Sequence, residues 1–249
     1  MDQSPSPRIQ LCGRFAVEVG GRPVEGLRGR QCRPLLGYLV LHRPRPVQRS
    51  ELVDALWGEQ PPPAADSALS ALLSNLRHVL GWELSARSEV RLRVPDGTFV
   101  DAEAAVENVH SAEAALHTGD MTTAYATALI ANYITRRTFL PGFDAPWIER
   151  WRRLLADVRL RAVEAFATAA LAIGGSELAG ADRATRELVE LAPYRESAQE
   201  LRMRVLSALG NTAEALLGYE AFRHRLRDDL GVDPGTRLQA AHRELLTGS

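Results

Sequence analysis

Residues 48–80 read QRSELVDALWGEQPPPAADSALSALLSNLRHVL. Leu52, Val53, Leu56 and Trp57 recur at helical spacing, and Ser50 is the expected N-cap, with Glu51 and Asp54 in a first turn that favours carboxylates. Gly58 should stop that helix. Pro61-Pro62-Pro63 then makes a stiff extended link without amide donors. A further helix is expected over 64–80, with Leu69, Leu72, Leu73, Leu76, Val79 and Leu80 as its apolar stripe. Ser67, Ser70, Ser74, Asn75, Arg77 and His78 fall largely off that stripe.

Two amphipathic helices around a tight connection have the layout of a helix-turn-helix. A helix fits the major groove, where outward side chains reach base edges and phosphates. Ser70, Ser74, Asn75, Arg77 and His78 are the candidate DNA-contacting residues. Asparagine can pair with adenine and arginine with guanine, while serine and histidine more often touch phosphate. The competing reading is a polar face that only meets water.

Upstream, Ile9, Leu11, Phe15, Val17 and Val19 stand at even steps before Gly20-Gly21, which predicts a strand, a bend and a hairpin with a short return strand through Val24 and Leu27. Cys32, Leu35, Leu36, Leu39 and Val40 then predict a helix from about Arg30 to His42, broken by Pro44 and Pro46. Downstream of Gly81, WELSAR and VRLRV predict a second hairpin bearing Arg87, Arg91 and Arg93, which could reach phosphate or a minor groove, or pair with Glu83 or Glu89. Residues 98–100 could add a last strand. The order βββ-ααα-ββ is that of a winged helix-turn-helix occupying residues 1–100. The connection before the third helix is either a spacer or an exposed surface for polymerase, formed by Trp57, Glu59, Gln60 and Pro61, with Trp57 the member that suits a core.

Strand signals vanish after Asp101. Helices are predicted over about 102–117, 120–136, 145–173, 176–191, 194–209, 212–229 and 235–247, with an irregular loop at Pro141-Gly142. Short turns and a loose period of roughly 34 residues suggest tetratricopeptide-like helical hairpins over 101–249. The fold class is therefore mainly α: an α+β winged helix followed by an all-α helical-hairpin domain.

The totals agree with a soluble cytoplasmic protein: 249 residues, 45% hydrophobic and 24% charged, with no apolar run long enough for a membrane and no signal-peptide layout in MDQSPSPR. Cys12 and Cys32 read as reduced thiols. The net charge is −1, and all thirty basic residues are arginine. Residues 1–100 hold 13 arginines against ten acidic residues, a balance of +3, while residues 101–249 hold 17 against 21, a balance of −4. Arginine forks onto phosphates and guanine edges better than lysine. There is no HExxH, GxSxG, GxGxxG, phosphate loop or Cys/His ligand set, so no catalytic residue, metal or cofactor is expected. His42, His110, His117, His224 and His242 read as solvated.

The segments SELVDALWGEQPPPAADSALSALLSNLRHVLG and LCGRFAVEVGGRPVEGLRGRQCRPLLGYLVLHRPRPVQ resemble the OmpR-type winged helix of the SARP family of bacterial antibiotic-pathway regulators. FLPGFDAPWIERWRRLLADVRLRAVEAFATAAL and LVELAPYRESAQELRMRVLSALGNTAEALLGYEAFRHRLRDDLGVDPGTRLQAAHRELL resemble the bacterial transcriptional activation domain that follows it. The resemblance implies a sequence-specific activator of secondary-metabolite promoters. It would bind direct repeats of double-stranded DNA as dimers or tandem pairs, and recruit RNA polymerase, including the sigma factor, at the nucleoid. Two departures bear on this. The third helix ends Ser74-Asn75-Leu76-Arg77-His78, two arginines short of the usual pattern, and Ser88 to Leu92 replace a glycine-tyrosine segment in the hairpin. Fewer fixed cations imply weaker phosphate contacts and a flatter salt dependence. The reading from another class is a protein-interaction or ligand-sensing regulator that works through the helical domain, with weak or no DNA binding.

Overall fold

The structure is a computed structural model describing residues 5–247. The first four residues of the signal-peptide reading, and the last two of the chain, lie outside the described residues. The chain divides into two compact units, one made of residues up to Ala104 with Ile134–Leu155, the other of Ala105–Tyr133 with residues from Ala156 onward.

In the first unit, β1 (Arg8–Gln10) lies antiparallel to β2 (Ala16–Val19), which turns at Gly20-Gly21 into β3 (Arg22–Pro23). Ile9 faces Val17 in register, and both are buried, as the even spacing predicts. Three helices follow: α1 (Cys32–Leu41), α2 (Arg49–Trp57) and α3 (Ala65–Leu80). Between the first two lies β4 (Val47–Gln48), which pairs with β6 (Glu89–Leu92) of the hairpin β5 (Leu84–Ala86)–β6.

That strand corrects the expected cap. Pairing with Glu89 holds Gln48 extended (φ −68°, ψ 146°), so the helix begins at Arg49 and Ser50 lies inside it without capping. The last strand expected over 98–100 is present as β7 (Phe99–Val100). It joins β1 in parallel, giving a sheet ordered β3-β2-β1-β7.

The segment Ile134–Leu155 folds into this unit. Cys12 bridges to Phe139, the Leu140 amide donates to the Leu11 carbonyl at 2.8 Å, and the Trp147 indole donates to the Ala55 carbonyl at 3.1 Å. Phe139, Leu140, Trp147 and Ile148 are buried. The Arg152 guanidinium donates to the carbonyls of Phe139, Leu140 and Phe143, tying down the irregular loop expected at Pro141-Gly142. At the end of β1, Asp101 accepts from the amides of Leu11 and Cys12 at 2.8 and 2.9 Å. Burial pushes its carboxyl upward, while those amide bonds pull it down.

The remaining helices are α4 (Asp101–Thr118), α5 (Met121–Thr135), α6 (Pro146–Ile173), α7 (Leu178–Leu191), α8 (Glu196–Ala208), α9 (Thr212–Leu230) and α10 (Thr236–Thr247). In the second unit one core joins Ala112, Ala128, Val163, Phe166, Ala170, Ala181, Leu188, Ala198 and Val205. Its alanines let helix axes approach closely. A second core joins Met203, Leu206, Tyr219, Phe222, Leu226 and Leu238. Arg202 ties the hairpins together, meeting Asp182 at 3.3 Å and Glu214 at 2.9 Å. The architecture is mainly α, an α+β winged helix followed by a tetratricopeptide-like helical domain. No helix among the described residues is long and apolar enough to cross a membrane. Cys12 and Cys32 are both free and buried.

Candidate nucleic-acid interface

The geometry of α3 follows from its leucines. Leu69, Leu73, Leu76 and Leu80 are buried, each contributing about 1.5–3 kcal/mol of apolar burial. That anchors the helix in one rotation about its axis. Ser67, Ser70, Ala71, Ser74, Arg77 and His78 are left exposed on the other side. Gly81 ends the helix in the left-handed region (φ 67°), its amide donating to the Arg77 carbonyl.

The five helix candidates do not behave alike. Ser74 and His78 stand exposed. Ser70 Oγ donates to the Asp66 carbonyl at 2.8 Å and accepts from Arg49 Nη2 at 2.7 Å. Arg77 is exposed, yet Nε and Nη2 both donate to the Leu84 carbonyl. Asn75 is half-buried at the edge of the face. Its Oδ1 accepts from the Arg28 amide at 3.3 Å and from the Cys32 thiol at 3.4 Å, and its Nδ2 donates to the Gly26 carbonyl at 3.3 Å. The structure thus gathers Ser70, Ser74, Arg77 and His78 on one outward surface and engages Asn75 with the loop before α1.

The hairpin stands beside the C-terminal end of α3. Val90 and Leu92 are buried, so the period-2 alternation of β6 turns Glu89 and Arg91 outward. Arg87, at the tip, and Arg93 are exposed too. Arg93 meets Glu83 at 3.3 Å, with 69% and 67% of the side chains exposed, and such a pair is screened and weak, leaving Arg93 able to exchange onto phosphate. Glu89 accepts instead from Gln48, at 2.6 Å.

In the α2–α3 connection Trp57 is half-buried while Glu59, Gln60 and Pro61 are exposed. The indole lines an open groove of about 520 Å³ with Ala68, Ala71 and Leu72 of α3.

Two features escaped sequence reading. Arg49 reaches from α2 to Asp66 at 2.8 Å, bracing the start of α3. The loop at 26–32 packs along α3. Its glycines and arginines were visible, but its partner lies over forty residues away. The strongly shifted groups of this unit are structural. Glu51 is held down at about 2 by a hydrogen bond from Arg45, against burial that raises it, and with a second bond from Tyr38. Burial, then Glu51, pushes the Tyr38 hydroxyl up to about 12. Burial pushes the Cys32 thiol up to about 11. No group of three or more histidine, cysteine or acidic residues among the described residues is placed to hold a metal.

Comparison with known proteins places these elements. Residues 100–246 match the family model of the bacterial transcriptional activator domain, and residues 29–93 match that of the transcriptional regulatory protein C-terminal domain. The chain is 34% identical over 221 residues to the regulatory protein AfsR of Streptomyces coelicolor, covering 87% of this chain and 22% of AfsR. It is 33% identical over 253 residues to the transcriptional regulator RedD of the same organism, covering 96% of this chain and 70% of RedD. It is 29% identical over 256 residues to the Mycobacterium tuberculosis regulator EmbR, spanning 62% of EmbR. A solved structure of M. tuberculosis EmbR in complex with a low-affinity phosphopeptide superposes with a TM-score of 0.83 at 26% identity, covering 98% of this chain and 65% of that one. RedD and EmbR bear the names of transcriptional regulators and AfsR that of a regulatory protein.

Proposed function

The chain belongs to the SARP family of bacterial transcription regulators, and on that footing we propose that it is a sequence-specific DNA-binding activator that recruits RNA polymerase to promoters of a secondary-metabolite pathway. Residues 1–100 bind the DNA and residues 101–249 make protein contacts. The observation that carries the reading is the outward face of α3, with Ser70, Ser74, Arg77 and His78 exposed beside a hairpin bearing Arg87, Arg91 and Arg93. A helix with one polar face and a cationic hairpin at its end matches a major groove and its bordering phosphates. Trp57, Glu59, Gln60 and Pro61 form the polymerase contact, sigma factor included. Their support is exposure on a proline-stiffened connection. The protein acts in the cytoplasm at the nucleoid, as dimers or tandem copies on direct repeats, without a cofactor.

One observation favours a second reading. Asn75 and Arg77, the two side chains best suited to bases, both bond within the protein. A regulator working through its helical domain, with weak DNA affinity, would tolerate that. A nuclease footprint of the full chain on the DNA upstream of its own gene decides between the two. Protected direct repeats support the activator. Absence of protection at low salt, with specific protein partners recovered, supports the alternative.

A further inference from the structure

The loop between β3 and α1 reads EGLRGRQ over residues 25–31. It lies along one flank of α3. Asn75 holds it through the Arg28 amide and the Gly26 carbonyl, each at 3.3 Å, and through the Cys32 thiol at 3.4 Å. Gly26 (φ 92°) faces Val79 and Gly29 (φ 85°) faces Leu72, both in the left-handed region where other residues are strained. Leu72, Asn75 and Val79 share one side of a helix that turns about 100° per residue, and Arg77, tied to the hairpin, lies nearly opposite. The exposed face with Ser70, Ser74 and His78 lies between these two flanks.

A helix seated in a major groove has a phosphate strand on either side. The hairpin arginines serve one side. On the other flank, Arg30 is occupied, its Nη2 donating to the Gly142 carbonyl at 3.2 Å and its guanidinium over the Phe143 ring. Arg28 is exposed, forms no ion pair among the described residues, and has its backbone fixed by Asn75. We propose that the Arg28 loop is a second phosphate clamp for duplex DNA, gripping the strand across the groove from the hairpin, with Asn75 as its positioning residue. The proposal rests on the DNA-binding reading above.

The test is the salt dependence of binding of the full chain to a fluorescein-labelled random-sequence duplex, read by anisotropy. Each phosphate contact adds about 0.9 to the slope of log affinity against log salt. Arg28→Gln, an exposed change that leaves the fold alone, should flatten the slope by about one unit, as should Arg91→Gln, and the double variant by about two. An Arg28→Gln slope equal to wild type, whatever Arg91→Gln does, overturns the clamp. If Arg91→Gln alone flattens the slope, DNA binding stands without the clamp. Wild type that binds no duplex at low salt overturns the DNA reading and the clamp together.

Discussion

Arg77 of α3 donates through Nε and Nη2 to the carbonyl of Leu84, at 3.2 and 2.9 Å. One guanidinium thus fastens the outward helix to the first strand of the hairpin beside it. A carbonyl that accepts two charge-assisted bonds is held more tightly than one left to solvent. The relative placement of helix and hairpin, on which grip across a groove depends, therefore runs through this side chain.

Arg77→Ala should loosen the hairpin and weaken DNA binding by about tenfold, roughly 1.4 kcal/mol, evenly across target sequences. An arginine that reads a base would instead lose about 1–3 kcal/mol of discrimination at one position. Anisotropy titrations over a panel of singly substituted duplexes separate the two. Arg77→Lys should not restore binding, because an ammonium cannot fork onto the carbonyl.

Asn75→Ala removes three contacts to the 26–32 loop. The expected cost is about 1–2 kcal/mol in urea unfolding. The Cys32 thiol, now shielded, should also react faster with Ellman's reagent. Unchanged stability together with unchanged thiol reactivity would show that Asn75 does not hold the loop.

Acid sensitivity of the first unit should run through Glu51. Its bonds from Arg45 and Tyr38 lower its carboxyl from 4.5 to about 2. A depressed folded-state value means the contribution is complete above about 4.5 and is lost as pH falls from there toward about 2. Glu51→Gln should therefore reduce stability at neutral pH and flatten its decline over that window. Trp147 packs edge-on to Tyr38 with ring centroids 5.1 Å apart, so tryptophan fluorescence reports on this region during unfolding.

Glu59→Ala combined with Gln60→Ala should leave DNA affinity intact while lowering transcription from the bound promoter in a reconstituted polymerase assay. Equal loss in both assays would place these residues at the DNA rather than at polymerase.

What could be read directly from the chain was whatever depends on near neighbours. The leucine spacing from Leu69 to Leu80 gave α3 and its outward face, and the glycine and proline punctuation placed α4 to α10 within about two residues of their ends. Distant partners were not legible. Residues 47–48 are too short to show strand alternation, and they become β4 only because Val90 and Glu89 lie opposite. The parallel partner of β7 is some ninety residues away, at Arg8 and Ile9. Leu140 and Trp147 look like ordinary helical-domain residues until the Leu11 carbonyl and the Ala55 carbonyl meet them. Site residues show the same limit. Ser74 and His78 were placed by helical periodicity alone, but nothing local to Asn75 says that its amide is engaged with a loop preceding the first helix.

The central claim is that the outward face of α3 sits in the groove of duplex DNA, and a crosslink from that face tests it most directly. The described cysteines are buried, so Ser74→Cys can be labelled selectively with an azide photoprobe in the full chain, with exposed Glu18→Cys on β2, in the sheet of the same unit, as the control. Photolysis on the footprinted upstream DNA should attach the Ser74 probe to bases inside the protected repeats and leave the Glu18 probe unattached. Attachment from Glu18 with none from Ser74 would contradict the account.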